Sequence, residues 1–410
     1  MISNSKFPGV NLADLPELDK YPEQPPCFGT SLKLLADGKQ LAICHMGFRF
    51  DSYMGWCGHY CSYCYARGIN MRYKRWEVEK IKVADLDQVK RHFSNVFDGN
   101  KKRLNLIEQC IAHRYPIRMG TNTDCFQPVE EKYRVSYRFI DEIMNQFDYP
   151  YSICTKSSMV AAPEYLDLYR DNATFQFSLS TLKQDILDKI ERGAPPAVER
   201  LTTIKKLSDK GFFVGCRISP HIPEYMDDLP ELVKRLADAG CKHVISELLR
   251  VSPILNNVMI EECGFDVIKH YKGMGAKMNI GYVRYPLHKK IEYQRQLKEL
   301  CDRYGMTFAT CADEDPSFHT VENCCGYDGN EKFKGCPTAT YDTAFRLCKE
   351  KGTVSFDELI DTGWCPDPPT LKKTWDKGYF ENILKNLQFD KETGCYSFVE
   401  CNETMKRVNG

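Results

Sequence analysis

The sequence predicts an α/β chain, a partial barrel of six βα units followed by a Cys-rich C-terminal extension. Three observations lead there. Between residues 41 and 305, short β-prone runs alternate with longer helical patterns, the signature of βα units on a parallel sheet. No G-x-G-x-x-G follows any of these runs, which argues against a dinucleotide-binding sheet. Six such runs are too few to close an eight-stranded barrel, so the barrel is open.

The elements follow in order. Residues 1–40 are rich in Pro and Asn and read as an extended lead-in. Strands are expected at 48–53, 116–120, 150–154, 174–180, 212–219 and 242–249, each followed by helical material. In 130–146, Tyr133, Tyr137, Ile140 and Ile143 recur at helical spacing; 196–210 does the same and stops at Gly211, a C-cap signal. The barrel is thus placed at 41–305. The remainder, 306–410, is a Cys-rich extension in which helical patterns are broken by Pro366, Pro368 and Pro369. In a barrel of this kind, chemistry collects at the C-terminal ends of the strands.

The 410 residues carry 56 Lys+Arg and 56 Asp+Glu, a neutral balance that argues against one long basic groove but leaves room for a local basic patch. At 42% hydrophobic and 27% charged, the chain can bury a sizeable core. No run is apolar for the ~18 residues that span a bilayer, and the N-terminus lacks an apolar signal stretch. A cytoplasmic protein without a membrane partner is expected. Twenty cysteines in a reducing compartment favour metal ligation over disulfides, with about half of them serving as small buried hydrophobes. Cys110, Cys241, Cys263 and Cys301 suit that second role.

Directly after the first strand stand Cys57, Cys61 and Cys64 in C-x3-C-x2-C spacing. Three thiolates can hold three irons of a 4Fe–4S cluster and leave the fourth iron open. Zinc is the competitor, with His59 inside the loop as its fourth ligand. With Tyr63 just before the last Cys, the loop resembles the hallmark of the radical S-adenosylmethionine (radical SAM) superfamily. Cys64–Arg67, Trp76–Ile81, Gly120–Pro128 with Glu130, Thr155–Ser157, Phe177–Ser180, Arg192–Pro195 and Ile218–Pro223 resemble the branch that contains spore photoproduct lyase. The likeness spans about residues 41–250; the branch often has Pro where Cys125 stands.

The resemblance implies a partial (βα)6 radical-SAM-type barrel and two cofactors, a 4Fe–4S cluster and SAM. Its activity would be reductive SAM cleavage to a 5′-deoxyadenosyl radical that abstracts hydrogen from substrate, and its partner a one-electron donor such as flavodoxin or ferredoxin. Tyr63, Gly120, Thr121, Asn122, Thr123, Asp124, Lys156, Ser178, Ser180 and Arg217 are the expected cofactor-binding residues. The 120–124 segment reads equally as a turn dense in side-chain-to-backbone bonds. Arg217, costly on a strand unless it meets a carboxylate, is assigned to the SAM carboxylate, with an internal Asp or Glu as the alternative. Cys125 is the first choice for a catalytic hydrogen donor, ahead of Cys154 and Cys216.

Beside the loop, Arg67–Trp76 holds four cations and two aromatics in ten positions, suited to phosphates and bases or simply to solvent. Cys311, Cys324, Cys325 and Cys336, with His319 nearby and Cys348 and Cys365 beyond, suggest a second centre, a 4Fe–4S cluster or zinc. The favoured substrate is a nucleic-acid base or nucleotide; a peptide or small molecule is the alternative. A non-catalytic nucleic-acid-binding metal module is the competing class.

Overall fold

The computed structural model describes residues 17–29, 31–34, 44–279, 281–311, 316–383 and 386–399. Most of the expected lead-in therefore lies outside the described residues. Among them, no helix is long and apolar enough to cross a membrane.

The central sheet has eight strands: β1 Leu32–Leu34, β2 Phe48–Phe50, β3 Ile117–Met119, β4 Tyr151–Thr155, β5 Ala173–Ser178, β6 Phe213–His221, β7 His243–Leu248 and β8 Thr307–Thr310. Their spatial order follows the chain, β1 to β8. All neighbours are parallel except β1 and β2, which run antiparallel. The six expected strands are β2 to β7. The short 48–53 run divides, however: after β2, Tyr53–Met54 pairs with Lys82–Ala84 in a separate small sheet.

Period-two alternation decides what each strand shows to either side. Phe48 stacks on Tyr115 in the connection before β3 and Phe50 on Phe139 of a covering helix, so the apolar residues of β2 pack outward. Arg49 therefore faces inward, as do Arg118 on β3 and Cys154 on β4, where the Arg118 guanidinium lies 3.5 Å from Cys154 Sγ. Over β2 to β4 the outer face is apolar and the inward face is polar.

Two expectations are corrected. The predicted boundary between 305 and 306 falls just short of β8, which pairs in register with β7 from His243↔Thr307 to Ser246↔Thr310 and so belongs to the central sheet. Its short, Thr-flanked run gave little period to read. The expected single helix over 130–146 is three pieces, Glu130–Tyr133, Val135–Phe139 and a π-helical turn Ile140–Asn145. Arg134 breaks it by taking φ 51°, a left-handed conformation that a non-glycine residue adopts only at some cost. The helix expected at 196–210 is present as α2, Ala197–Asp209, and Gly211 follows at φ +88°.

The extension has two parts. Residues 316–340 lay Cys324, Cys325, Tyr327, Phe333 and Cys336 against Met46, Ile245 and Ala309, on the inward face of the sheet. Tyr327 reaches the sheet itself, within 2.5 Å of Ser152 Oγ and accepting from Gln176 Nε2 at 2.9 Å. Beyond it, helix α3 (Tyr341–Lys351), α4 (Pro368–Trp375) and a three-stranded antiparallel sheet enclose their own core around Trp375 and Tyr396. Pro368 and Pro369 open α4 rather than interrupt a helix, since the first turn has no use for their missing N–H. Cys348 and Cys365 lie in that core.

Candidate active site at the cysteine loop

The Cys57–Cys64 loop is held from several sides. Gly58 N–H donates to Gln127 Oε1 at 2.8 Å, Ser62 N–H to the Ile190 carbonyl at 2.9 Å, and Cys61 bridges to Glu191. Cys64 ends the loop as N-cap of helix α1, Tyr65–Arg72, its sulfur accepting from Arg67 N–H at 3.5 Å. All three thiols are free. Burial pushes the Cys57 and Cys61 thiols up, Cys61 to about 12, so ligation has to displace protons.

His59 is not free to serve as the fourth ligand of a zinc ion in this loop. Its Nδ1 lies 3.1 Å from the Gly193 carbonyl and its Nε2 3.0 Å from Asp124 Oδ2. With both ring nitrogens engaged, the loop offers three sulfurs and no fourth ligand. Three thiolates in one loop are the donor set of a cluster with one open iron.

The 120–124 turn joins β3 to this loop. Gly120, at φ +80°, is the one residue that fits, because a Cβ there would stand 2.4 Å from the Cys154 carbonyl oxygen. Asp51, which the sequence did not single out, accepts from the N–H groups of Thr121 and Asn122 at 2.8 Å each and from Asn122 Nδ2 at 2.8 Å, with Lys33 Nζ 3.0 Å away. Thr123 donates to the Tyr53 carbonyl. Asp124 accepts from Thr155 Oγ1, Lys156 N–H and Phe126 N–H. Burial alone would raise its carboxyl, but His59 and these donors hold it at about 2. These side chains build the turn, which presents its backbone outward: the Thr121 carbonyl accepts from Tyr65 OH at 2.7 Å.

A second buried network backs the loop. Glu191 accepts from Tyr63 OH, pairs with Arg200 at 2.5 Å and has Lys156 Nζ at 4.0 Å. Burial disfavours the Glu191 carboxylate, yet Arg200 and Lys156 keep it below its usual range. Tyr63 and Lys156 are thus tied to Glu191. Neither Glu191 nor Arg200 was picked out from sequence, because their pairing is long-range.

Around the strand ends, Ser178 supplies its carbonyl to Arg200 at 3.1 Å. The Ser180 hydroxyl is buried with no hydrogen-bond partner among the described residues, while its carbonyl lies 2.9 Å from His221 Nδ1. Arg217 points inward, 3.5 Å from Gln176 Oε1 and 3.9 Å from Glu247 Oε2, so an internal carboxylate is present beside it. Cys125 sits in the packed layer, fully buried, its Sγ 4.0 Å from the Phe50 carbonyl. Cys216 is equally buried, 3.8 Å from the Leu179 carbonyl. Of the three thiols weighed as hydrogen donors, Cys154 is the one beside an inward-facing arginine.

Inward-facing cations cross the sheet in register. Lys33 on β1 stands opposite Arg49 on β2, and Arg49 opposite Arg118 on β3. Asp51 serves Lys33. No carboxylate lies within ion-pair distance of Arg49 or Arg118 among the described residues, and the Nε of each is buried without a hydrogen-bond partner there. Outside the barrel a cavity of about 660 Å³ opens between residues 157–165 and 192–199 and reaches the loop only through His59.

Among known proteins, residues 52–236 match the radical SAM superfamily. An uncharacterized protein of the Acidianus two-tailed virus is 24% identical over 253 residues, which cover 59% of this chain and 73% of that protein. An uncharacterized protein of Methanocaldococcus jannaschii is 23% identical over 184 residues, 43% of this chain and 61% of that one. Two solved structures of spore photoproduct lyase, one complexed with dinucleoside spore photoproduct and one a variant with bound AdoMet as well, align at TM-score 0.49 and 16% identity. They cover 64% and 65% of this chain and 76% and 78% of theirs. Residues 52–236, the stretch that matches the radical SAM superfamily, contain the three-thiol loop with no fourth ligand, and enzymes of that superfamily use a 4Fe–4S cluster and SAM.

Proposed function

We propose that this radical SAM enzyme acts on a phosphate-bearing substrate, a nucleic-acid base or nucleotide, by hydrogen abstraction. The observation that carries the reading is the surface of α1 beside the loop. Tyr65, Ile69 and Tyr73 recur at helical spacing and are 50%, 52% and 60% exposed, with Arg72, Lys74 and Arg75 exposed among them. Aromatic faces for bases interleaved with cations for phosphates are what a splayed nucleotide needs. Arg67 does not belong to that surface. It is buried, forks onto Glu262 at 2.9 and 2.5 Å and lies over the Tyr60 ring, so the expected four-cation patch is three. Trp76 packs on Trp56.

Cys57, Cys61 and Cys64 would hold the cluster. The backbone rim of Gly120–Asp124, with Ser178, Ser180 and Arg217, would hold SAM. Held there, the two cofactors would supply hydrogen-abstracting radical chemistry, with a one-electron donor such as flavodoxin or ferredoxin as partner. The protein's own part is to orient: Asp51 and Asp124 fix the turn, Glu191 fixes Tyr63 and Lys156, and Arg49 and Arg118 draw an anion into the barrel. Cys154, beside Arg118, would return a hydrogen atom to the substrate, a role first expected of the fully buried Cys125.

The test is binding of single-stranded oligonucleotides and nucleotides as a function of salt, with and without Arg72→Ala, Lys74→Ala and Arg75→Ala together. The triple substitution should weaken binding and flatten its salt dependence by up to about three phosphate contacts. Uncoupled SAM cleavage should persist. Wild-type protein without salt-sensitive binding would make a peptide or small molecule the substrate.

A further inference from the structure

A second set of metal-ligating side chains lies apart from the cysteine loop, on the side of the barrel covered by the extension. His45, Cys324 and Asp342 each offer one donor atom, and these atoms lie within 4.8 Å of one another. All three residues are buried. We propose that His45, Cys324 and Asp342 form a mononuclear divalent-metal site, for zinc, that fastens the extension to the barrel.

The spacing is that of ligands around one small ion. In a tetrahedral zinc site with Zn–S and Zn–N bonds of ordinary length, the sulfur and the nitrogen lie about 3.5 Å apart. Cys324 Sγ and His45 Nδ1 are 3.4 Å apart. One thiol, one imidazole and one carboxylate match the mixed N, S and O preference of zinc. A four-iron cluster needs donors spread more widely and prefers thiolates throughout. Among the described residues, no other His, Cys, Asp or Glu joins this group, Cys325 included.

Neighbouring groups orient the ligands. His45 Nε2 lies 3.3 Å from Thr340 Oγ1, which can take its hydrogen and leave Nδ1 as the lone-pair donor toward Cys324. On the other flank, Thr310 N–H donates to His319 Nε2 at 3.0 Å. The neutral His319 ring therefore carries its hydrogen on Nδ1, which faces Asp342 Oδ2 at 3.8 Å. That makes His319 an orienting neighbour of the carboxylate ligand, not a fourth ligand. Asp342 lies in the first turn of α3, where the helix N-terminus favours a carboxylate. The fourth position falls to water, and binding releases the Cys324 thiol proton.

The placement gives the site its purpose. His45 lies just before β2, Cys324 in the segment packed on the inward face of the sheet, and Asp342 at the head of the C-terminal unit. One ion would join three segments that share no strand pairing with each other. Of the expected second-centre residues, this site takes Cys324 alone. Cys336 is engaged with Met46 Sδ at 3.7 Å, and Cys311 leaves β8 with its N–H on the Ser246 carbonyl.

The experiment uses the full chain carrying Cys57→Ala, Cys61→Ala and Cys64→Ala, so that the SAM-binding cluster cannot form and failure of the site is separable from failure of the proposed function. Metal is stripped by a chelator under reductant, and Co²⁺ is titrated anaerobically. One equivalent should give the intense visible bands of a tetrahedral site and a thiolate-to-cobalt charge-transfer band, both removed by one equivalent of Zn²⁺. Cys324→Ser should abolish the charge-transfer band, Cys325→Ser should leave it, and Asp342→Asn or His45→Ala should weaken cobalt binding at least tenfold. The proposal is overturned by absence of the band from the parent protein, which needs no further variant to fold, or by its survival in Cys324→Ser. Reconstitution of the parent protein to four irons with matching sulfide would also overturn it.

Discussion

Cys57, Cys61 and Cys64 stand within eight residues of sequence, whereas Cys324 reaches His45 across 279 residues and only after the whole barrel has folded between them. The difference is one of closure entropy and of what supports each set. A tight loop costs little to close but needs anchoring from outside, which Asp124, Gln127 and Glu191 provide. The distant set forms only as a by-product of tertiary packing, so an ion there would link chain segments that otherwise meet through side chains alone. The first arrangement serves reactivity, the second cohesion.

The largest effect that could break this contrast is loss of the loop thiols. Replacing Cys57, Cys61 and Cys64 by Ala should abolish 5′-deoxyadenosine formation under dithionite while the unfolding transition moves little, since apart from the long Cys64 cap and a Cys61 contact the loop is held by hydrogen bonds that do not use sulfur. Persistent product would remove the cluster assignment. Next is Asp124→Ala, which strips the partner from His59 and orphans the Lys156 and Phe126 N–H groups; breaking such a buried charged network should cost about 3 kcal/mol in urea unfolding. An unchanged midpoint would mean that the loop is anchored elsewhere.

Arg217→Ala sharpens the SAM assignment. Loss of one charge-assisted contact should weaken SAM binding by roughly ten- to a hundredfold, about 1.5–3 kcal/mol. Affinity equal to wild type would leave Arg217 to Glu247 alone. The smallest effect is expected for Cys348→Ala. This thiol lies in the core of the C-terminal unit and should cost about 1 kcal/mol with no change in metal content. Reduced zinc or iron would bring it into a metal centre after all.

Much of the barrel was legible because short β-prone runs alternate with longer helical patterns, the mark of βα units. The six expected strands lie within a few residues of β2 to β7, and the three-Cys spacing located the loop directly. Other features left no local trace. β8 is four residues long, and Arg134 breaks a helix without the usual glycine. Asp51, Glu191, His45 and Asp342 act through partners tens to hundreds of residues away, and no periodicity records such pairs. Sequence could also suggest that Gly120–Asp124 mattered without separating a ligand rim from a hydrogen-bonded turn, because the same small polar residues make both. Cys125 shows the converse, a thiol beside the right motif whose side chain points into the packed layer.

The anchoring of the cysteine loop has a further consequence for how its cofactor is acquired. In small zinc-binding modules the ligands are unordered until metal arrives, so much of the binding energy goes into ordering the chain. Here Gly58, His59, Ser62 and Cys64 are fixed by protein partners in the 124–127 turn, in residues 190–193 and in the first turn of α1, none of which requires a metal. The loop is therefore a rigid receptor. Cluster insertion should show a small heat-capacity change, and amide exchange across residues 57–64 should be nearly the same in apo and loaded protein. Oxidative loss of the cluster would then leave an intact seat that can be refilled, so the enzyme can cycle between empty and loaded forms without unfolding.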